Sequence, residues 1–194
     1  MSTHRMSLPP VTPENADPRV RDILETTRKQ IGMIPNMYLR IGVSPGVLET
    51  YRLGYERFRK ESGLTGAEQE VVFLTISFEN ACEYCMAAHS VIADTASKLA
   101  KEATDAIRNG AEIPDPKLEA LSAFTRAMLV KRGRPSQDDV ADFLAAGYGE
   151  RQVLEIVLAI AVKTISNYTN HLFETPVDGP FAARAWSPPP RPAR

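Results

Sequence analysis

Two cysteines, three histidines and one tryptophan are all that 194 residues hold of those types, and each scarcity excludes something. A lone pair of cysteines three apart is no structural staple in a reducing compartment, and a zinc module of the usual kind lacks its second knuckle. Charge of one sign is missing too. Twenty-three basic against 24 acidic residues leave a formal net charge of −1, with no basic stretch dense enough for a nucleic-acid surface. The longest apolar stretch, Val153 to Val162, is interrupted by Glu155 and ends at Lys163, short of the roughly 20 residues a membrane span needs. A Gly-rich phosphate loop of the GxGxxG or Walker type is absent, so no organic cofactor is expected. Nothing near the N-terminus joins a basic region to an apolar run, which makes the cytoplasm the expected compartment, with neither nucleic acid nor membrane as partner.

What is present is helix. A hydrophobic fraction of 43% suffices for one domain with a real core. Asp17-Pro18 reads as a cap and first turn of a helix reaching Gln30 and closed by Gly32; Ser44-Pro45 opens another that runs to Gly63. The segment between, Gly32 to Asn36, reads as a connector outside any helix. Thr65 with Glu68 forms a capping-box pattern before the apolar run Val71 to Phe78, predicting a helix from Gly66 to Asn80. Further helices are predicted over Glu83 to Lys98, Glu102 to Arg108, Leu118 to Leu129, Ser136 to Ala146 and Glu150 to Phe173. No segment alternates with period two long enough for a strand, so the fold class is all-α.

Residues 1–15 are expected to be a flexible N-terminal segment, 16–174 the helical domain and 175–194 a Pro-rich tail with six prolines and Trp186. Composition favours a solvated tail; Phe181 and Trp186 leave open an arm clasping a neighbouring subunit. A shift of 85 positions lays the run from Glu70 onto that from Glu155, an acidic residue opening an apolar helix in both. An internal duplication is therefore expected. In that register Asn167 and Asn170 stand opposite Cys82 and Cys85, leaving one redox centre per chain.

Both cysteines fall in Cys82-Glu83-Tyr84-Cys85, with His89 four residues on. On a helix these positions share one face. Cys82 at the helix start would have its thiolate favoured by free backbone N–H groups, although Glu83 beside it disfavours the anion. Cys85 lies one turn in, where His89 can take its proton. Tyr84 is either a pocket wall or core. A carboxylate is needed to orient the imidazole. With a rise of about 1.5 Å per residue, Glu70 and His89 come level if the two helices fold back around Asn80-Ala81; Glu79 is the rival. His4 shows no role, and His171 reads as a surface or interface residue.

Leu64-Thr65-Gly66-Ala67-Glu68-Gln69-Glu70, the apolar helix, and Asn80 through Ser90 resemble the carboxymuconolactone decarboxylase superfamily, in its alkyl hydroperoxidase D-like branch. That branch carries a glutamate, a twelve-residue interval, CxxC, and a histidine four residues later. Glu70, Cys82, Cys85 and His89 match it residue by residue. The resemblance implies an alkyl hydroperoxidase D-like helical bundle, a homo-oligomer (trimer or hexamer), and antioxidant reduction of hydrogen peroxide or organic hydroperoxides through a Cys82-Cys85 disulfide cycle. A dithiol reductant or redox protein would restore the thiols. It also tips the attacking role to Cys85, where helix position alone favours Cys82. An additional histidine that can lie between the cysteines is replaced here by Tyr84. The alternatives are a carboxymuconolactone decarboxylase-like lyase, a non-catalytic redox sensor, and a metal site on Cys82, Cys85, His89 and a carboxylate.

Overall fold

Local chemistry sets most helix ends. Asp17 accepts a hydrogen bond from the Arg19 N–H at 2.9 Å to open α1 (Pro18–Ile31), and Gly32 at φ +77° closes it. Thr65 and Glu68 cap each other's backbone N–H groups ahead of α4 (Gly66–Glu79). The computed structural model describes residues 4–189. Between and beyond those two helices lie α2 (Asn36–Ile41), α3 (Pro45–Glu61), α5 (Glu83–Ile92), α6 (Lys101–Asn109), α7 (Pro116–Val130), α8 (Gln137–Ala145) and α9 (Glu150–Phe173). No strand occurs among the described residues.

Helix α4 is enclosed on every side, with every residue from Glu68 to Phe78 buried. It is the central helix, packed by α5, α6, α7 and α9. Val71, Phe73, Leu74 and Ile76 are fully enclosed, each contributing about 1.5–3 kcal/mol of apolar burial. One core cluster gathers Phe58, Phe73, Phe124 and Phe143. A second gathers Leu24, Tyr38, Leu48 and Tyr51 and includes Cys82, Tyr84 and Cys85. Helix α9 touches both, and Gly54 lets α3 come close to it, since a Cβ there would lie 2.8 Å from Val162.

Five expectations change. The connector ends earlier than predicted, because Asn36 begins α2. Pro35 supplies no side-chain cap; the Asn36 N–H is instead accepted by Asp178 at 3.1 Å, a partner 142 residues away. Helix α5 stops at Ile92 and widens into a π-helical turn, Ala93–Ser97, before Lys98 turns left-handed at φ +53°. The tail, as far as it is described, is laid along the helices of its own chain rather than free in solvent. A 3-10 turn, Gly179–Arg184, lies on α5, and the Trp186 indole N–H donates to the Arg108 carbonyl at 2.8 Å. Arg184 pairs with Asp94 and Asp105 at 3.0 and 2.8 Å. Residues 190–194 of the expected tail, and 1–3 of the expected N-terminal segment, lie outside the described residues. The rest of that segment is tied down, with Met6 N–H on Leu172 and Val11 N–H on Leu39. Finally, α9 runs unbroken through Asn167 and Asn170, where the first half turns at Ala81, so the internal likeness does not extend past the apolar helices.

Candidate active site

The turn between α4 and α5 creates the site. Ala81 adopts φ +54°, a conformation costing an L-residue about 1–2 kcal/mol, and the Cys82 N–H closes back on the Ser77 carbonyl at 2.9 Å. This folds α5 against α4 and brings Glu70 level with His89, 2.8 Å from Oε2 to Nδ1. Glu79, the rival orienter, instead pairs with Arg126 at 3.1 Å. Cys82 is the N-cap residue of α5 and Cys85 lies in its first turn. Both are buried, and both are free thiols.

Glu70 is fully enclosed and its carboxylate is saturated. Oε2 receives His89, while Oε1 accepts from Arg59 and, at 3.4 Å, from the Ser97 hydroxyl. Arg59 is held in turn by the Tyr55 hydroxyl at 2.9 Å and lies over the Phe73 ring. Burial pushes the Glu70 carboxyl up, but His89 and Arg59 outweigh it and hold the group below the usual carboxylate range. Because an ionised carboxylate only accepts, Nδ1 carries the proton and Nε2 is left as the base. Burial, reinforced by the charge of Lys163, pulls His89 below its ordinary value despite Glu70, so the resting imidazole is neutral.

Helix α9 supplies the opposite wall. Lys163, Ser166, Asn167 and Asn170 are all buried and follow helical spacing on one face. The Asn170 amide N–H group points at both sulfurs, 3.4 Å from Cys85 and 3.9 Å from Cys82, and the Ser166 hydroxyl is 3.9 Å from Cys85. Asn167 accepts from Asn80 at 2.9 Å, bracing the turn. Lys163 is 1% exposed, its ammonium makes no hydrogen bond, and it lies over the Phe73 ring that also packs on His89. It faces the Cys85 sulfur, on which it acts first through its charge and second as a donor to the thiolate. The two thiols diverge as a result. Burial pushes Cys85 up, but the hydrogen bond from Cys82 and the charge of Lys163, to which His89 adds once it is protonated, carry it well below the ordinary thiol range. Cys82, the donor in that bond and itself buried, is pushed well up. Glu83 is exposed and lines the same wide cavity that reaches Cys82.

Two cavities reach the dithiol. One, of about 170 Å³, reaches Cys85 and His89 between aromatic side chains of α3 and Tyr84. A wider one, of about 800 Å³, reaches Cys82 and is lined in part by Asn170, His171 and His4. Tyr84 is a wall: its hydroxyl donates to Asp178 and its ring meets Phe181 edge-on. Sequence reasoning located Glu70, Cys82, Cys85 and His89, and the structure brings all four together. It missed Arg59, Lys163, Asn170 and Asp178. Two of these left a trace: Lys163 ends an apolar run, and Asn170 stands opposite Cys85 in the 85-residue shift. The carboxylate of the metal alternative is already taken by His89 and Arg59, and no cluster of three or more His, Cys, Asp and Glu suited to an ion occurs among the described residues.

The site is thus a buried CxxC at the head of one helix, backed by a histidine on the same helix and a glutamate from the neighbouring one, in an all-α fold. Residues 45–127, which hold all four positions, match the carboxymuconolactone decarboxylase family. No curated protein matches the sequence. Among solved structures, an alkylhydroperoxidase AhpD core, an uncharacterized peroxidase-related protein from Ralstonia eutropha JMP134, is 20% identical with a TM-score of 0.79, covering 90% of this chain and 93% of that one. An uncharacterized peroxidase-related protein from Silicibacter sp. TM1040 is 17% identical with a TM-score of 0.75, covering 94% and 98%. The debrominase Bmp8, as a cysteine-to-alanine variant in complex with 2,3,4-tribromopyrrole, is 15% identical with a TM-score of 0.74, covering 94% and 97%. These likenesses establish the fold. Among the described residues no helix is long and apolar enough to cross a membrane.

Proposed function

We propose that the protein is a thiol-dependent peroxidase, working in the reducing cytoplasm on hydrogen peroxide or organic hydroperoxides. The observation that carries the reading is the alignment Glu70–His89–Cys85, in which a fixed neutral base stands beside the more acidic of two adjacent thiols. The Cys85 proton passes to Nε2 of His89, and Glu70 holds the imidazolium. The Cys85 sulfur attacks the outer peroxide oxygen; the O–O bond breaks, and the departing alkoxide takes the proton from His89 as an alcohol. The resulting sulfenic acid is attacked by the Cys82 sulfur, releasing water and forming the Cys82–Cys85 disulfide. An external dithiol then reduces it, entering by the wider cavity at Cys82.

The test is a free-thiol count by mass after one equivalent of hydrogen peroxide, followed by peroxide consumption with excess dithiothreitol. Both thiols are expected to be lost as an intramolecular disulfide, with sustained turnover that His89→Ala slows by about 10²-fold or more. Consumption that stops after one equivalent would make the protein a sensor, and unreactive thiols would sink the redox reading altogether.

Aromatic walls beside Cys85 favour a second chemistry, reductive dehalogenation of a ring. The two thiols would supply two electrons, the carbon–halogen bond would break, halide would leave and the ring would take a proton. Halide release under the same reducing conditions distinguishes it. Assembly into a homo-oligomer, a trimer or hexamer, is part of the proposal. Leu154, Val157 and Tyr168 stand exposed along α9 in support, and light scattering is expected to give a mass above that of one 21.4 kDa chain.

A further inference from the structure

The cavity at Cys85 has a chemical character of its own. Its walls are Tyr38, Tyr51, Tyr55, Tyr84 and Phe181, and its volume of about 170 Å³ is on the scale of the apolar cavities of about 150 Å³ known to accept one benzene ring. No carboxylate lines it. One cation does: Arg52, whose guanidinium is held by the Tyr38 hydroxyl at 3.3 Å and makes no ion pair among the described residues. The acidic residue one turn along, Glu56, is already engaged by Lys60 at 2.6 Å. The Thr27 hydroxyl, 3% exposed, also lines this cavity and has no hydrogen-bond partner. A half-buried arginine whose nearest acid, Glu56, is shared with Lys60, and an orphaned hydroxyl, set around a slot of aromatic faces, are polar ends suited to a flat anionic ligand.

We propose that this cavity binds a single-ring apolar compound carrying one negative charge, with the ring between the tyrosines, the anionic group on Arg52, and the reactive end toward Cys85. The proposal rests on the reading of Cys85 as the reacting thiolate and names the class of substrate it would meet: an aryl peroxide, or halogenated ring, bearing an acidic group. Small hydrogen peroxide makes none of these contacts.

Benzoate and benzamide have nearly the same shape and differ in charge. In the reduced full-length chain, alkylation of Cys85 by the neutral reagent iodoacetamide is followed by mass while either probe is titrated in. Benzoate is expected to protect at concentrations about tenfold or more below benzamide, the scale of a charge-assisted contact. Arg52→Met is expected to erase that difference, and Arg52→Lys to keep part of it. Equal protection by the two probes, protection by neither, or discrimination surviving in Arg52→Met would overturn the proposal. The wild-type comparison stands even if a variant fails to fold. Peroxide consumption by the same sample reads the peroxidase proposal separately: benzoate protection without turnover leaves this inference in place and removes the other.

Discussion

Cys85→Ser is expected to lower peroxide turnover to the uncatalysed background, a loss on the order of 10³-fold or more, the scale on which removal of a nucleophile acts. Cys82→Ser is expected to stop turnover as well, yet leave one equivalent of sulfenic acid formed per chain. The asymmetry follows from the surroundings of the two sulfurs. Cys85 has Asn170 at 3.4 Å, the charge of Lys163 and the base His89, all of which favour its anion over the cost of burial. Cys82 donates to Cys85 and is held protonated by that bond and by its own burial. The backbone N–H groups at the helix start, which on sequence grounds favoured Cys82, are outweighed by three side-chain groups gathered at Cys85. Trapping the sulfenic acid with dimedone and weighing the intact chain reads the two variants directly. A dimedone adduct in Cys85→Ser with none in Cys82→Ser would exchange the roles.

What could be read in advance divides by distance along the chain. Capping boxes and terminal glycines act within four residues, so most helix limits were legible, including both ends of α9. Glu70 and His89 are 19 residues apart, but a single tight turn separates their helices, and counting helical rise was enough to pair them. The turn was placed at Asn80-Ala81, but its backbone was not legible, since nothing marks Ala81 as left-handed. Contacts made by the tail were illegible: Tyr84 meets Asp178 across 94 residues, and six prolines in a composition suited to solvent concealed a segment that walls the site. Asn170 reaches Cys85 across 85 residues, which is also the shift of the internal similarity. That register predicted a second half without thiols. It did not predict that the second half would supply the surroundings of the first half's thiols.

Lys163→Met is expected to raise the pH at which Cys85 becomes a thiolate, slow its alkylation at pH 7 by about tenfold or more, and make the disulfide harder to reduce. A buried ammonium is costly unless an anion faces it, and the anion the mechanism places there is the Cys85 thiolate. The sign follows from the depressed thiol. Free cysteine titrates near about 8.5, so the stabilisation from the thiolate is complete above that value and is lost as pH falls through the lower value of the folded chain. Removing the ammonium closes this window from below, at about 1.4 kcal/mol for each unit by which the thiol moves up. The same charge bears on the redox balance. When Cys85 is tied into a disulfide the anion is gone and Lys163 remains, unpaired, in the core. The wild-type protein therefore favours the reduced dithiol, and the methionine variant, which fills the space without the charge, is expected to have a potential more negative by about 30 mV per tenfold change in equilibrium. Lys163→Arg retains the charge and serves as the control for packing. An unchanged alkylation pH profile together with an unchanged potential in Lys163→Met would reduce the lysine to a structural residue and leave His89 alone to account for the reactivity of Cys85.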